Sequence, residues 1–325
     1  MDPILVIGAS GQLGTATIRK LVAGNNTVRA LCRSSESAEQ FRSMGVEAVM
    51  GDLTDQASLR RACAGVSAVI ATANASIPTR RTDTFKAVDS QGYRNLVAVA
   101  REASVRRFVY VSAPLSRYTH LSPLLQAKRE IEQLLISSTL DCVIFRADIF
   151  MDTAFTMMGS SIPLRGSEAA TISRPFGFAN RYFAKIKNSI EGNGVALIPG
   201  DGAKRHGFIC VDNMASLLAS AVISGPSGIH VSGGPEALTF LDVVHLYEKV
   251  LSTTLRVKRT PAPMLRAAIP ILRPFSPAGS NLMCLNYSSA TEETLPDPTV
   301  ALAFGVRLTS AETFLRNKSA MAASA

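Results

Sequence analysis

Long apolar runs are missing from this 325-residue chain: none approaches the roughly 20 residues that a helix needs to cross a bilayer. A disulfide framework is missing too. The five cysteines (Cys32, Cys63, Cys142, Cys210 and Cys284) are odd in number, stand singly and fall mostly inside apolar stretches, which argues for a reduced compartment and against a CxxC metal site. No His/Asp/Glu cluster has metal-ligand spacing. Ser112 lacks a G-x-S-x-G elbow, which counts against a hydrolase. The apolar stretch ILVIGAS begins at Ile4 and leaves no room for a signal peptide, so a cytoplasmic protein is expected.

Charge of one sign is in excess but nowhere concentrated into a stripe. The net charge is +9; residues 1–150 carry 18 Lys and Arg against 13 Asp and Glu, and the remainder 16 against 12. An even spread does not suit a reader of duplex nucleic acid, so no nucleic-acid partner is expected. The densest basic run, LRVKRTPAPMLRAAIPILRPF (Leu255–Phe275), has five basic residues on an apolar background. A cationic cap over a substrate pocket, or plain surface, accounts for it better than membrane docking. The excess charge suits an anionic small-molecule ligand. With 18% charged and 47% apolar residues, the chain is of ordinary globular composition, long enough for one large domain or two intertwined ones.

The first half alternates short apolar runs with longer amphipathic ones. Strands are predicted at Ile4–Ile7, Thr27–Cys32, Glu47–Met50, Ala68–Ala71, Arg107–Ser112 and Asp141–Arg146, and helices at Leu13–Val22, Ala38–Met44, Ala57–Ala62 and Asp89–Glu102. That alternation predicts an α/β fold with a doubly wound parallel sheet. After Ile149 it weakens. The stretch MMGSSIPLRGSEAATISRPFG has neither period and is expected to form loops near a ligand. HGFICVDNMASLLASAV then reads as a strand and a helix capped at Asp212, GIHVSGG as a strand and TFLDVVHLYEKVL as a helix. The predicted division is 1–148 plus about 205–232 for the first domain, and about 149–204 plus 233–325 for a smaller, interleaved α+β substrate domain.

IGASGQLG places Gly8, Gly11 and Gly14 directly after the first strand and at the opening of the first helix, with Ser10, Gln12 and Leu13 between them. A pyrophosphate rests against backbone N–H groups at a helix N-terminus, and a Cβ on the turn would push it away. This context predicts a Rossmann-type dinucleotide site. The second strand ends VRALCRSS, where an NAD enzyme usually offers a carboxylate to the ribose. Arg33, Ser34 and Ser35 suit a 2′-phosphate, so NADP(H) is favoured; Glu36 keeps NAD(H) open. Asp52 and Leu53 end the third strand at the adenine, while Ala71, Thr72 and Ala73 leave room for the phosphates and ribose.

These pieces, together with VDSQGYRNLVAVAREASVRRFVYVSA, Lys128, CVIFRADIFMD and FICVDNMA, resemble the NmrA-like members of the atypical short-chain dehydrogenase/reductase superfamily. The C-terminal GGPEALTFLDVVHLYEKVL and FGVRLTSAETFLRN look most like the branch containing the nucleotide-binding accessory subunit of respiratory complex I and photosystem assembly factors. The resemblance implies a ribose and nicotinamide contact for Lys128, a place beneath the nicotinamide for Ser112, and a ring-facing surface from Ile149, Phe150 and Met151. Ala147 replaces the proline usual after Arg146, so this turn is expected to differ.

In tyrosine-dependent relatives a tyrosine four residues before the lysine delivers the proton; here that residue is Leu124. Ser122-Pro123 reads as a cap and first helical residue, which puts Leu124 one turn before Lys128 on the same face. The lysine can act alone, its ammonium stabilising an oxyanion or enolate. Alternatively, Lys128, Arg129, Glu130 and Glu132 form a solvated helix face. Tyr118 and His120 lie in the preceding loop as substitutes for the missing acid, whereas His206, His230 and His245 are expected to pack. The resulting expectation is an NADPH-dependent reductase acting on an apolar, aromatic or quinonoid small molecule, with a homodimer allowed. The rivals are a non-catalytic redox sensor or assembly factor, and a cofactor-retaining isomerase, epimerase or lyase.

Overall fold

Apolar runs of four to seven residues are too short for helices and here become strands, buried on both faces except at the edge strand Glu47–Met50. In a computed structural model that describes residues 2–166, 184–297 and 299–321, they are β1 (Ile4–Ile7), β2 (Val28–Cys32), β3 (Glu47–Met50), β4 (Ala68–Ala71), β5 (Arg107–Ser112) and β6 (Asp141–Ala147). All pair parallel in the order β3-β2-β1-β4-β5-β6, and the strand Gly228–Ser232 joins β6 as the seventh. Ile4 stands opposite Val28 on one side and Ala68 on the other, so the winding reverses at β1. Ligand sites of such sheets lie at the carboxyl ends, beside that switch point.

The period of two sorts β1 between two cores. Ile4 and Val6 face Ile18 and Leu21 of α1 (Gln12–Ala23) and Leu217 and Leu218 of the helix Val211–Ile223. Leu5 and Ile7 face the other layer, which is built from α3 (Gln56–Cys63), α4 (Tyr93–Glu102) and α5 (Pro123–Ile136). α4 is entered through π-wound turns at Phe85–Gly92, capped where Thr84 Oγ1 accepts the Ala87 amide at 3.1 Å. A separate aromatic core gathers Phe155, Phe208, Tyr247 and Phe314. Around it lie α6 (Met151–Met157), a two-stranded parallel pair (Val195–Pro199 with Arg256–Thr260) and an antiparallel one (Arg205–His206 with Leu238–Thr239).

The six strands predicted up to Arg146 stand within a residue of those observed, whereas the strand expected in HGFIC shortens to Arg205–His206 with an isolated bridge between Phe150 and Ile209. The expected Asp212 cap is corrected. Cys210 occupies that cap position without a side-chain bond, and Asp212 lies in the first turn, paired with Lys20 at 2.8 Å. The orphan amide of Val211 is accepted instead by buried Asp152 at 2.8 Å. Of the loop expected at 157–177, residues up to 166 include a 3₁₀ turn at Ile162–Leu164, and 167–177 lie outside the described residues. His206 and His230 pack against aromatic rings, but His245 stands exposed and bonds Glu248 at 2.9 Å.

Candidate functional site

At the carboxyl edge of the sheet, the turn after β1 is shaped by what it cannot hold. Gly8 has φ +82°, and a Cβ there would stand 2.7 Å from the Ala73 amide nitrogen and the Thr72 hydroxyl. A Cβ on Gly14 would collide with the Gly8 carbonyl. The Gly11 amide donates to that same carbonyl at 3.0 Å, closing the turn. α1 begins with no side-chain cap bond and no acidic residue in its first turn, so its positive end is available to an anion. Gln12 adds a buried Nε2 with no hydrogen-bond partner among the described residues. Leu13 and Phe150 pack with Ala16, Val211 and Ala215 beside it. This cradle, open only because Cβ atoms are absent, fits a dinucleotide pyrophosphate.

Beyond β2 the structure adds a residue that sequence reasoning passed over. The Arg33 guanidinium is held by Asp83 Oδ1 at 2.9 Å and Thr79 Oγ1 at 2.6 Å. Burial pushes the Asp83 carboxyl up, but hydrogen bonds from Thr79 and Arg80 together with Arg33 outweigh it, and its pKa is lowered. Arg80 crosses the same place, donating to the Arg33 carbonyl at 3.2 Å and standing 3.4 Å from Asp52 Oδ2. Two guanidiniums thus stand together at the end of β2; the doublet Arg80-Arg81 in the loop after β4 was the available signal. Ser34 caps α2 (Ser35–Ser43), accepting the Ser37 amide at 3.3 Å. Asp52 accepts Thr54 through Oδ1, and Leu53 is buried against the place where a Gly92 Cβ would lie. Ala71 is buried, Thr72 donates to the Ile7 carbonyl twice at 3.0 Å, and the Ala73 carbonyl accepts the Tyr93 hydroxyl at 2.7 Å.

Lys128 is not on a solvated face. It is 6% exposed, and its Nζ donates to the Val111 carbonyl at 2.7 Å. The ring centroids of Tyr110 and Tyr93 lie 4.7 and 5.8 Å from that Nζ. Burial lowers its pKa to about 8; Asp89 and Glu132 oppose the fall while Arg129 deepens it. Asp89, fully buried at the π-wound entry to α4, accepts the Ala75 amide through Oδ2 at 3.0 Å. Its Oδ1 and the Tyr110 hydroxyl have no partner among the described residues. Burial pushes Asp89 up to about 6, moderated by Lys128 and that amide. Next door, Glu132 bridges Arg129 and Arg146 at 2.9 and 2.7 Å, and Arg129 donates to Ser112 Oγ at 3.0 Å and to the Ala113 carbonyl. Ser112 is therefore a fixed acceptor at the end of β5.

As expected, Ser122 caps α5, accepting the Leu125 amide at 3.1 Å, Pro123 takes the first helical position and Leu124 is buried. Tyr118 turns elsewhere: its ring lies 4.7 Å from Tyr287, and hydrogen bonds with Thr291 and Tyr287 lower its pKa. Ser116 and the Arg117 amide tie this loop to Glu292. His120 is exposed, its Nδ1 3.2 Å from the Arg117 carbonyl. After β6, Met151 is wholly buried in the aromatic core, which leaves Ile149 and Phe150 half-buried. The turn without its proline is held by Asp148, which accepts the Ile149 amide at 2.9 Å and the Gly207 amide at 2.6 Å, and which burial pushes up to about 7. No cluster of metal ligands occurs among the described residues.

Sheet order, glycine turn and uncapped helix together define a dinucleotide-binding α/β protein. A family model described as NAD(P)H-binding matches residues 8–175, and the chain belongs to that NmrA-like family. Among curated relatives, the photosystem II assembly factor Ycf39 of Synechocystis sp. is 30% identical over 150 residues, covering 46% of this chain and 45% of the relative. A 4-hydroxy-2-methyl-3-oxo-4-farnesyl-3,4-dihydroquinoline-1-oxide ketoreductase of Stigmatella aurantiaca is 36% identical over 108 residues, 33% of this chain and 32% of the relative. The chain spans less than half the length of these relatives. Among solved structures, the NADPH-dependent quinone oxidoreductase of Escherichia coli, complexed with NADPH, superposes with a TM-score of 0.71 at 17% identity, over 97% of this chain and 99% of that one. The triphenylmethane reductase of Citrobacter sp. does so with 0.69 at 17%, over 97% and 99%. These likenesses establish a shared fold.

Proposed function

We propose that the protein is an NADPH-dependent reductase that places a hydride on a carbonyl or conjugated carbon of an apolar, aromatic or quinonoid small molecule. The observation that carries this reading is Lys128: a buried ammonium with a pKa of about 8, bonded to the Val111 carbonyl near the carboxyl end of β5. Gly8, Gly11, Gly14 and the start of α1 would hold the pyrophosphate, Arg33 and Arg80 the 2′-phosphate, Asp52 and Leu53 the adenine, and Lys128 and Phe150 the nicotinamide end. The cofactor supplies the hydride. At pH 7 Lys128 keeps its proton at Nζ, and in a poorly hydrated site that charge stabilises an oxyanion or enolate far better than it would in water. Asp89 balances the ammonium, and Arg129 holds Ser112 in place. In the same reading the protein is cytoplasmic, and the chain divides at about 148, with 205–232 returning to the first domain.

A second reading, a nucleotide-sensing or assembly protein without turnover, is favoured by the bond from Lys128 Nζ to Val111 and by the assembly-factor name of the Ycf39 relatives. A titration of NADPH, NADP+ and NADH by nicotinamide fluorescence, followed by a panel of quinones, enones and aromatic ketones, separates the two. Preferential NADPH binding, lost in Arg33→Ala, and turnover lost in Lys128→Ala are the results the reductase predicts. NADPH binding with no acceptor reduced overturns it.

A further inference from the structure

From Lys249 to Thr291 the chain has six Lys and Arg and no Asp or Glu. Lys249 pairs with Glu312; among the described residues none of Arg256, Lys258, Arg259, Arg266 and Arg273 has a carboxylate within ion-pair distance. This stretch is therefore a local excess of cations without carboxylate partners among the described residues, Arg273 donating instead to the Leu121 carbonyl at 2.9 Å and Arg266 standing 6.0 Å from the Tyr287 ring centroid.

The same stretch exposes large apolar side chains. The helix Ala262–Leu272 seats Leu265 and Ile269 inward and leaves Met264 62% and Ile271 64% exposed, with Ala267 between them on the outer stripe. It is joined to the helix Pro277–Thr291 by a tight turn in which the Phe275 amide donates to the Leu272 carbonyl at 3.1 Å and Ser276 caps the next helix. Phe275 sits at the tip of this hairpin between Pro274 and Pro277, 84% exposed. Single exposed apolar residues need no explanation, but three on one hairpin, flanked by guanidiniums with no carboxylate partner among the described residues, do.

We propose that this hairpin is a docking face for an anionic lipid bilayer, on which Phe275, Ile271 and Met264 enter the headgroup boundary while Arg256, Lys258, Arg259, Arg266 and Arg273 meet the lipid charge. The charge sign selects the anionic surface, and the apolar tip selects a bilayer over a purely polyanionic partner. No helix among the described residues is long and apolar enough to cross a membrane, so the contact is peripheral. It stands independently of the reductase reading, since docking needs no turnover.

The test is co-sedimentation of the full chain with phosphatidylcholine vesicles, with and without one third phosphatidylglycerol. Wild type is expected to pellet with the anionic vesicles only and to be released by salt. The double variants Ile271→Ser with Phe275→Ser, and Lys258→Glu with Arg266→Glu, are each expected to lower the partition coefficient at least about tenfold. NADPH titration of the same samples verifies the fold, and Phe275→Ser alone serves if a double variant does not fold. Absence of pelleting overturns the proposal. So does undiminished pelleting of the apolar variant, which would make the face purely electrostatic. So does a concentration-dependent dimer that Phe275→Ser dissolves, which would make it a contact between copies of the chain.

Discussion

Between Gly8 and Gly14 the candidate site is shaped by atoms left out: three absent side chains, an uncapped helix and no charged group of its own. Around Lys128 it is shaped by charge packed in, with an ammonium, a carboxylate and two tyrosines buried within one small volume. The first arrangement is rigid because nothing else fits. The second stands only while its charges balance. A steric cradle therefore fails all at once, whereas an electrostatic pocket shifts by degrees and answers to pH.

The steric end gives the largest expected effects. Gly14→Val should abolish NADPH binding, by more than about a hundredfold, and destabilise the fold by about 2–4 kcal/mol, because the new side chain meets the Gly8 backbone; fluorescence titration and a urea melt read both. Lys128→Met should lower turnover about a hundredfold or more while NADPH affinity changes less than about tenfold, since the charge acts chiefly on the reacting group. It also carries a stability signature. The native lysine titrates near 8 against 10.5 when unfolded, so between those values the unfolded chain holds the extra proton. Wild-type stability should gain a rising component from pH 8 to 10.5 that Lys128→Met lacks. A parallel pair of curves would show that the lysine is not desolvated.

Asp89→Asn sharpens the comparison within the charged end. Removing the carboxylate withdraws the attraction that favours the ammonium, so the lysine's pKa falls further and the pH profile of turnover should move to lower pH by up to about one unit. A profile that stays in place would detach Asp89 from the site. Arg80→Ala should weaken NADPH about tenfold and leave NADH unchanged. The smallest change, under about threefold in turnover, is expected for Tyr118→Phe, because its hydroxyl partners lie on Tyr287 and Thr291 rather than near Lys128.

The same contrast explains which parts were readable from the chain alone. The strands, the glycine turn and the Ser122-Pro123 helix start are local signals, each written in adjacent residues with a period or a spacing. Arg80, Asp89, Asp148 and the Arg129–Glu132–Arg146 bridge are not local. Arg80 reaches Arg33 across 47 positions, and Asp148 reaches Gly207 across 59. The Asp212 cap misled because its role had passed to Asp152, which lies 59 positions from the amide it accepts. Tyr118 was an open question for the same reason: a loop's direction is decided by what it lands on, here Tyr287 and Glu292.

The π-wound entry to α4 turns the placement of Asp89 into a matter of counting. Each residue of a helix advances the chain by about 100° of rotation, and the wide turns between Phe85 and Gly92 take up chain that a regular α-helix would not need there. Loss of a single codon in this stretch would tighten those turns and rotate Asp89 out of register with Tyr93, whose hydroxyl holds the Ala73 carbonyl. An in-frame deletion that removes no functional side chain would thus disarm the pocket as surely as a substitution within it.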